Sequence, residues 1–306
     1  MDIPEVNIAA ICGTSLEKAA SMAEGLPDAK GYHDLVDMLA CEQLDAVYIC
    51  VPPMMHGEIE LELVKRGIPF LVEKPLGNEL EVPKKILNEI KRKSLITSVG
   101  YHHRYSTSIT KLKSELNEQN IGMVLGQFSG NMPPVSWWRN QSSSGGQFLE
   151  QTTHIVDLLR FFCGEVEDVH AVYAGNILSA KDASVTVADV GTVTLKMQNG
   201  TIANISNTCI LPPNVAKVGL TFYTEKGLYE WSPCCLEIKT VEGNTKVSDT
   251  NNPYKTESEA FIHAVRTGDC SNILSDYEDA FKTHQVTYVA LESAEKEISS
   301  RLKCSL

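Results

Sequence analysis

Ile68-Pro69-Phe70-Leu71-Val72-Glu73-Lys74-Pro75-Leu76-Gly77 is an apolar run of strand length that ends in Glu-Lys-Pro-Leu-Gly. A strand apolar on both faces belongs inside a parallel sheet, and it would deliver Lys74 at its carboxyl end, where open α/β sheets bind ligands. Pro75 disfavours the helical region for Lys74, which gives the amine a defined direction instead of letting it run on into a helix. A cis bond before Pro75 is compatible with the sequence. The competing reading is an ordinary turn lysine facing solvent.

Upstream, residues 6–12 form a short apolar run closed by Gly13-Thr14-Ser15, which reads as a buried strand. Ser15 is then the N-cap of a helix over 16–25. A short helix over 32–39, a strand ending at Val51 and a helix over 56–66 follow, with Gly67 closing the last one. Strand and helix alternating at this spacing require right-handed crossovers and a parallel sheet. Downstream, the pattern predicts a helix over 79–93 and a strand over 95–101. His102-His103-Arg104-Tyr105 comes next; two histidines adjacent on a strand point to opposite faces, which argues against a shared metal.

A helix is expected over 106–120 and the start of a second sheet over 121–131. Trp137-Trp138 stand in a Pro-rich loop, where an indole either stacks on a sugar face or caps a core. Gly145-Gly146 lead into a helix beginning near Phe148. On it Glu150 and His154 are four apart and Asp157 is three further on, so all three share a face. A neutral imidazole near pH 7 is a suitable base for the hydroxyl proton of an alcohol being oxidised, and a carboxylate beside it would orient it. The competing reading is a surface Glu-His pair without chemistry. From 165 to about 238 the chain alternates as strands over 166–173, 188–197, 202–209, 218–223 and 227–232, joined by turns at Gln198-Asn199-Gly200 and Glu225-Lys226-Gly227. Closing helices are expected over 257–267 and 277–302.

At 306 residues the chain has room for two domains, and a hydrophobic fraction of 43% is that of a globular protein. A net charge of −12 argues against nucleic-acid or anionic-membrane partners and suits a small polar substrate. No apolar stretch reaches transmembrane length, and the first residues carry no export signal, so a soluble cytoplasmic protein is expected. Nine cysteines without a Cys-x-x-Cys pair point to reduced thiols, with Cys12 and Cys50 as small core residues. No metal site is expected.

The run from Leu44 through Val51-Pro52-Pro53-Met54-Met55-His56, then a helix, then Glu73-Lys74-Pro75, resembles the Gfo/Idh/MocA family of nicotinamide-dependent sugar and polyol dehydrogenases. The block from Gly145 to Arg160 resembles that family's substrate-domain motif. The resemblance implies an α/β fold in which residues 1–105 are a truncated Rossmann-like dinucleotide-binding domain. Residues 106–306 would be an α+β substrate-binding and oligomerisation domain with a large, mostly antiparallel open sheet. It implies Lys74 and His154 as catalytic residues, with Glu150 where the family has an aspartate. Gly13, Thr14, Ser15, Pro52, Pro53, His56 and Glu73 would border NAD or NADP. Tyr101, Arg104, Trp138 and Asp157 would face a sugar or polyol, and the sheet would pair subunits into a homo-oligomer.

One piece of that pattern is missing. Such a domain begins with a strand, a Gly-x-Gly-x-x-Gly turn and a helix whose N-terminus holds the pyrophosphate. Here residues 6–12 look like the second strand, so the chain begins about thirty residues late on the usual length of the unit. The absent first strand is central in the 3-2-1-4-5-6 order, and its neighbours would lose their ladder partner. The expectations are a longer natural protein, a rearranged sheet with weak or lost cofactor binding, or a phosphate cradle supplied by another loop. Gly13-Thr14-Ser15 also replaces the acidic residue that favours NAD, a slight lean toward NADP. The leading expectation is an NAD(P)-dependent oxidoreductase; the alternative is a non-catalytic carbohydrate-binding or assembly protein on the same fold.

Overall fold

The computed structural model describes residues 3–117 and 119–296, and in it the stretch 68–77 carries a strand buried along its whole length. Around it lie β1 (Ala10–Cys12), α1 (Leu16–Ala23), β2 (Lys30–Tyr32), α2 (Leu35–Cys41), β3 (Val47–Ile49), α3 (Glu58–Arg66), β4 (Phe70–Val72), α4 (Glu81–Lys93) and β5 (Thr97–Val99). Local signals set several boundaries. The Ser15 hydroxyl accepts the Lys18 amide at 3.3 Å, Asp34 accepts the Asp37 amide at 2.9 Å, and Gly67 ends α3 at φ 73°. The helix expected over 32–39 is in fact the end of β2 followed by α2. Asp34 caps the helix only from residue 35, which leaves residues 30–32 extended to pair with β1.

All five strands run parallel, yet they form two sheets. β1 pairs with β2, and β3-β4-β5 make a separate ladder. In the order 3-2-1-4-5-6 these are positions 2 and 3, then 4, 5 and 6, so among the described residues the central position holds no strand. Along a parallel strand, backbone groups point alternately to one neighbour and the other. The Ala9 carbonyl and Gly13 amide face β2, which turns the backbone groups of Ala10 and Cys12 to the opposite edge. The Val47 amide and Ile49 carbonyl face β4, which leaves Tyr48 and Cys50 on the other edge of β3. Cys12 and Cys50, expected in the core, are therefore exposed at two strands that lack an inner neighbour.

The core of this part joins Leu63, Val64, Phe70, Val72, Ile86, Ile90 and Val99 to Tyr277, Ala280 and Phe281 from the far end of the sequence. After a 3-10 turn at His102–Tyr105 come α5 (Thr107–Leu116), β6 (Ile121–Ser129), α6 (Gln141–Ser144), α7 (Gln147–Glu150), α8 (Thr153–Cys163), β7 (Val166–Ala174), β8 (Val190–Met197) and β9 (Ile202–Thr208). β10 (Lys217–Thr224), β11 (Gly227–Ser232), β12 (Cys235–Thr240), β13 (Gly243–Ser248), α9 (Pro253–Thr267) and α10 (Tyr277–Glu295) follow among the described residues. The expected helix over 277–302 extends past residue 296, outside the described residues.

The second sheet has the order β13-β12-β11-β10-β6-β9-β8-β7, antiparallel throughout except between β6 and β9. β12 and β13, absent from the sequence reading, extend it by a further hairpin. One face is core: Val124, Val193, Leu195, Ala203, Ile205 and Phe222 pack under Ile109 and Leu112 of α5, Ile155 and Leu158 of α8 and Ala290 of α10. The other presents Met123, Leu125, Ile202 and Tyr223, all exposed. The chain is thus α/β, with an incomplete Rossmann-like parallel sheet beside a large, mostly antiparallel open one. Among the described residues no helix is long and apolar enough to cross a membrane.

Candidate active site

Lys74 leaves β4 with a cis peptide bond to Pro75, and its amine reaches across to α7. Nζ donates to the Glu150 carbonyl at 2.8 Å and lies 3.1 Å from Glu150 Oε1. Glu150 Oε2 accepts the Trp138 indole N–H at 2.7 Å. The single helix expected to carry Glu150, His154 and Asp157 is broken, since α7 ends at Glu150 and α8 begins at Thr153. The His154 amide bonds the Gln151 carbonyl at 3.3 Å, so the Glu150 carbonyl has no helical donor and is free for the lysine.

His154 is 9% exposed, with its ring edge-on to Tyr101 at 5.9 Å and to His102 and His103 at 5.1 Å each. Burial holds its pKa well below the usual value, and the positive charge of Lys74 adds to the effect. The imidazole is therefore neutral at pH 7. His102 and His103 do not point to opposite faces as expected. They lie in a 3-10 turn with rings 4.2 Å apart, and burial lowers them to about 3 and about 4. Tyr254 stacks on His102 at 3.9 Å, and Trp231 meets His103 edge-on at 5.1 Å. Among the described residues no three ligating side chains come together as a metal site.

The four residues expected to face substrate are engaged inside the protein. The Tyr101 hydroxyl pairs with Thr153 at 2.8 Å. Arg104 makes a two-point contact with Asp157, 2.7 and 2.6 Å, and a third with Asp279 at 2.7 Å. Burial pushes the Asp157 carboxyl up while Arg104 opposes it. Thr283 and Arg160 extend the cluster into α8 and α10. Trp138 is 1% exposed among Val185, Val187 and Cys209, which is the core-capping reading of the indole. These side chains support the site from behind instead of lining it.

The residues expected to border a cofactor lie at the carboxyl ends of β1, β3 and β4, the ligand-binding edge of a parallel sheet. Gly13-Thr14-Ser15 lead into α1, and Pro52-Pro53 begin a 3-10 turn. His56 turns its Nδ1 onto Glu60 Oε1 at 2.5 Å, while Glu60 Oε2 accepts the Gly57 amide at 2.6 Å. His56 Nε2 is buried without a partner. Glu73 lies under Gly100, where an added Cβ would come within 2.6 Å of Oε2, and burial raises its pKa. These residues fit the flanks of a dinucleotide. A glycine-rich phosphate cradle is not among them, and its usual place follows the strand position that stands empty.

Sequence reading missed Glu257. It is 3% exposed on α9, Oε1 has no partner, and burial pushes the carboxyl to about 9 with Glu73 and Asp157 adding to the rise. Its spacing to Ala260, Phe261 and Ala264 was the available signal, because that places a glutamate on the apolar face of the helix.

Two family models match the chain. One is described as an oxidoreductase family with an NAD-binding Rossmann fold and covers residues 1–101; the other, the GFO/IDH/MocA C-terminal domain, covers residues 110–230. The uncharacterized oxidoreductase YrbE of Bacillus subtilis is 25% identical over 210 residues, 67% of this chain and 60% of that protein. Myo-inositol 2-dehydrogenase of Thermotoga maritima is 28% identical over 211 residues, 67% of this chain and 62% of that protein. The chain thus spans about three fifths of the length of these two relatives. The solved structure of levoglucosan dehydrogenase with NADH and levoglucosan matches with a TM-score of 0.84 at 19% identity, covering 95% of this chain and 88% of that one. At that identity the likeness is one of fold.

Proposed function

The chain belongs to the Gfo/Idh/MocA oxidoreductase family, and from that premise we propose that it serves transfer of hydride between NAD(P) and a hydroxyl of a sugar or polyol. Residues 1–105 form the cofactor half in this reading and residues 106–306 the substrate and oligomerisation half. The observation that carries it is a neutral, buried His154 beside Lys74, whose amine is held by Glu150 at the carboxyl edge of a parallel sheet. A bound nicotinamide supplies the hydride acceptor. His154 takes the hydroxyl proton as the carbon is oxidised, and Lys74 donates a hydrogen bond to the reacting oxygen. Glu150 holds the amine in place through its carbonyl and Oε1, while Glu73 and the turn at Pro52-Pro53 border the ring.

The replacement of the usual acidic residue by Gly13-Thr14-Ser15 supports a slight preference for NADP. The exposed apolar face of the large sheet supports a homo-oligomer, and the acidic, span-free sequence supports a cytoplasmic setting. One observation favours a second reading, a carbohydrate-binding or assembly protein that has lost the cofactor: among the described residues no strand stands between β1 and β3.

Calorimetric titration with NAD(H) and NADP(H) separates the two. Micromolar binding, with turnover lost in Lys74→Ala and the fold retained, is expected of the oxidoreductase. A cooperatively folded chain that binds neither dinucleotide would overturn that reading for these 306 residues. Normal turnover in Lys74→Ala would remove the lysine from the mechanism.

A further inference from the structure

Glu150 is one methylene longer than the aspartate expected at its position, so its carboxylate has more ways to sit. Three contacts remove that freedom. The backbone carbonyl and Oε1 both meet Lys74 Nζ, and Oε2 is occupied by the Trp138 indole N–H at 2.7 Å. Trp138 has one polar atom and spends it on this oxygen. The indole is itself fixed, wedged among Val185, Val187 and Cys209. The Arg139 carbonyl accepts the amides of Thr186 and Val187 at 2.9 and 3.4 Å, and the Arg139 guanidinium lies 3.1 Å from Asp182. The loop carrying Val185 and Val187 thus holds the strand of chain that carries Trp138, and the ring cannot turn away without opening it.

We propose that Trp138 is a positioning residue: by holding Oε2 it directs Oε1 to Lys74 and draws the longer glutamate back from the space the reacting oxygen needs. This rests on the role given to Lys74 above. A merely structural account is also available, in which a buried indole needs an acceptor and Glu150 happens to supply it. The two differ in whether removing the indole N–H changes the surroundings of the amine.

The test is a double-mutant cycle on Trp138→Phe and Glu150→Asp. It is read by the rate at which trinitrobenzenesulfonate labels Lys74 at pH 8, followed on the peptide that contains it. Labelling needs no cofactor or turnover, so a chain without dehydrogenase activity still gives an answer about the pair. Each single substitution is expected to speed labelling by about tenfold, the lower end for a hydrogen bond to a charged group. The double variant should label no faster than either single one, because both break the same contact. Labelling of Trp138→Phe at the native rate, or effects that multiply in the double variant, would overturn the proposal. Should Trp138→Phe fail to fold, benzothienylalanine at position 138, which keeps the bicyclic shape and lacks the N–H, decides by the same labelling of Lys74. Faster labelling is expected, and the native rate sinks the pair.

Discussion

His102, His154 and His284 are buried and His103 is partly so, and desolvation holds each below its ordinary pKa: about 3 for His102, about 4 for His103 and His284, and well below the usual value for His154. Above about pH 6.5 these rings are neutral folded or unfolded. As pH falls from there, only the unfolded chain takes up protons, so each ring removes up to about 1.4 kcal/mol of stability per pH unit until its folded pKa is reached. Glu257 works with the opposite sign. Its folded pKa of about 9 lies above the unfolded one, so its contribution is lost as pH rises from about 4.5 to 9. Four rings outweigh one carboxyl below 6.5, and above it the carboxyl acts alone among these groups. A urea midpoint that peaks near pH 6.5 is expected, and Glu257→Gln should flatten the alkaline side. A midpoint that climbs steadily to pH 9 would mean that Glu257 is ionised in the folded protein. The family resemblance nominated Lys74, Glu150 and His154 together, and the fold sets Lys74 against Glu150. Trp138 and Glu257 were not assigned their roles, because these depend on partners that only the fold brings near.

The elements around the empty strand position differ in how well they are held. β4 and β5 are buried along their lengths, whereas β1 contacts a single neighbouring strand, and Val6, Ile8, Leu16 and Met22 beside it are exposed. Amides of residues 8–32 should therefore exchange with deuterium far faster than those of β4 and β5, reporting opening of a small unit before the whole. Equal protection in both regions would show that the two parallel sheets open as one. Within the small unit Gly31 is the tight contact: an added Cβ would lie 2.5 Å from the Ala20 amide nitrogen in α1. Most elements were legible from apolar runs and caps, and the lack of a glycine turn pointed to the gap that stands between β1 and β3 among the described residues. The interruption between α7 and α8 was not, since Gln151-Thr152 contains neither glycine nor proline. It is marked in space instead, by Lys74 arriving at the carbonyl that the helix leaves unused.

At the scale of the whole molecule, the outward face of the large sheet bears on assembly. Met123 pairs across the ladders with Tyr223 and Ile202, and Leu125 stands on the same face, all of them exposed. If subunits pair through this face, Leu125→Lys should convert a dimer to a monomer in sedimentation velocity while leaving the circular dichroism unchanged. A native chain that is monomeric at micromolar concentration would remove the pairing. α10 ties the two sheets together in another way. Its first turns set Tyr277 edge-on to Phe70 at 6.2 Å and place Phe281 in the core of the parallel sheet, and later Ala290 enters the core of the large one. Asp279 and Thr283, between these contacts, meet Arg160 of α8. For a gene spliced from two relatives, the portable unit is therefore discontinuous. A cut after residue 105 would set the donor's parallel sheet against a foreign closing helix, so a working hybrid should carry the donor's last helix along with its first hundred residues.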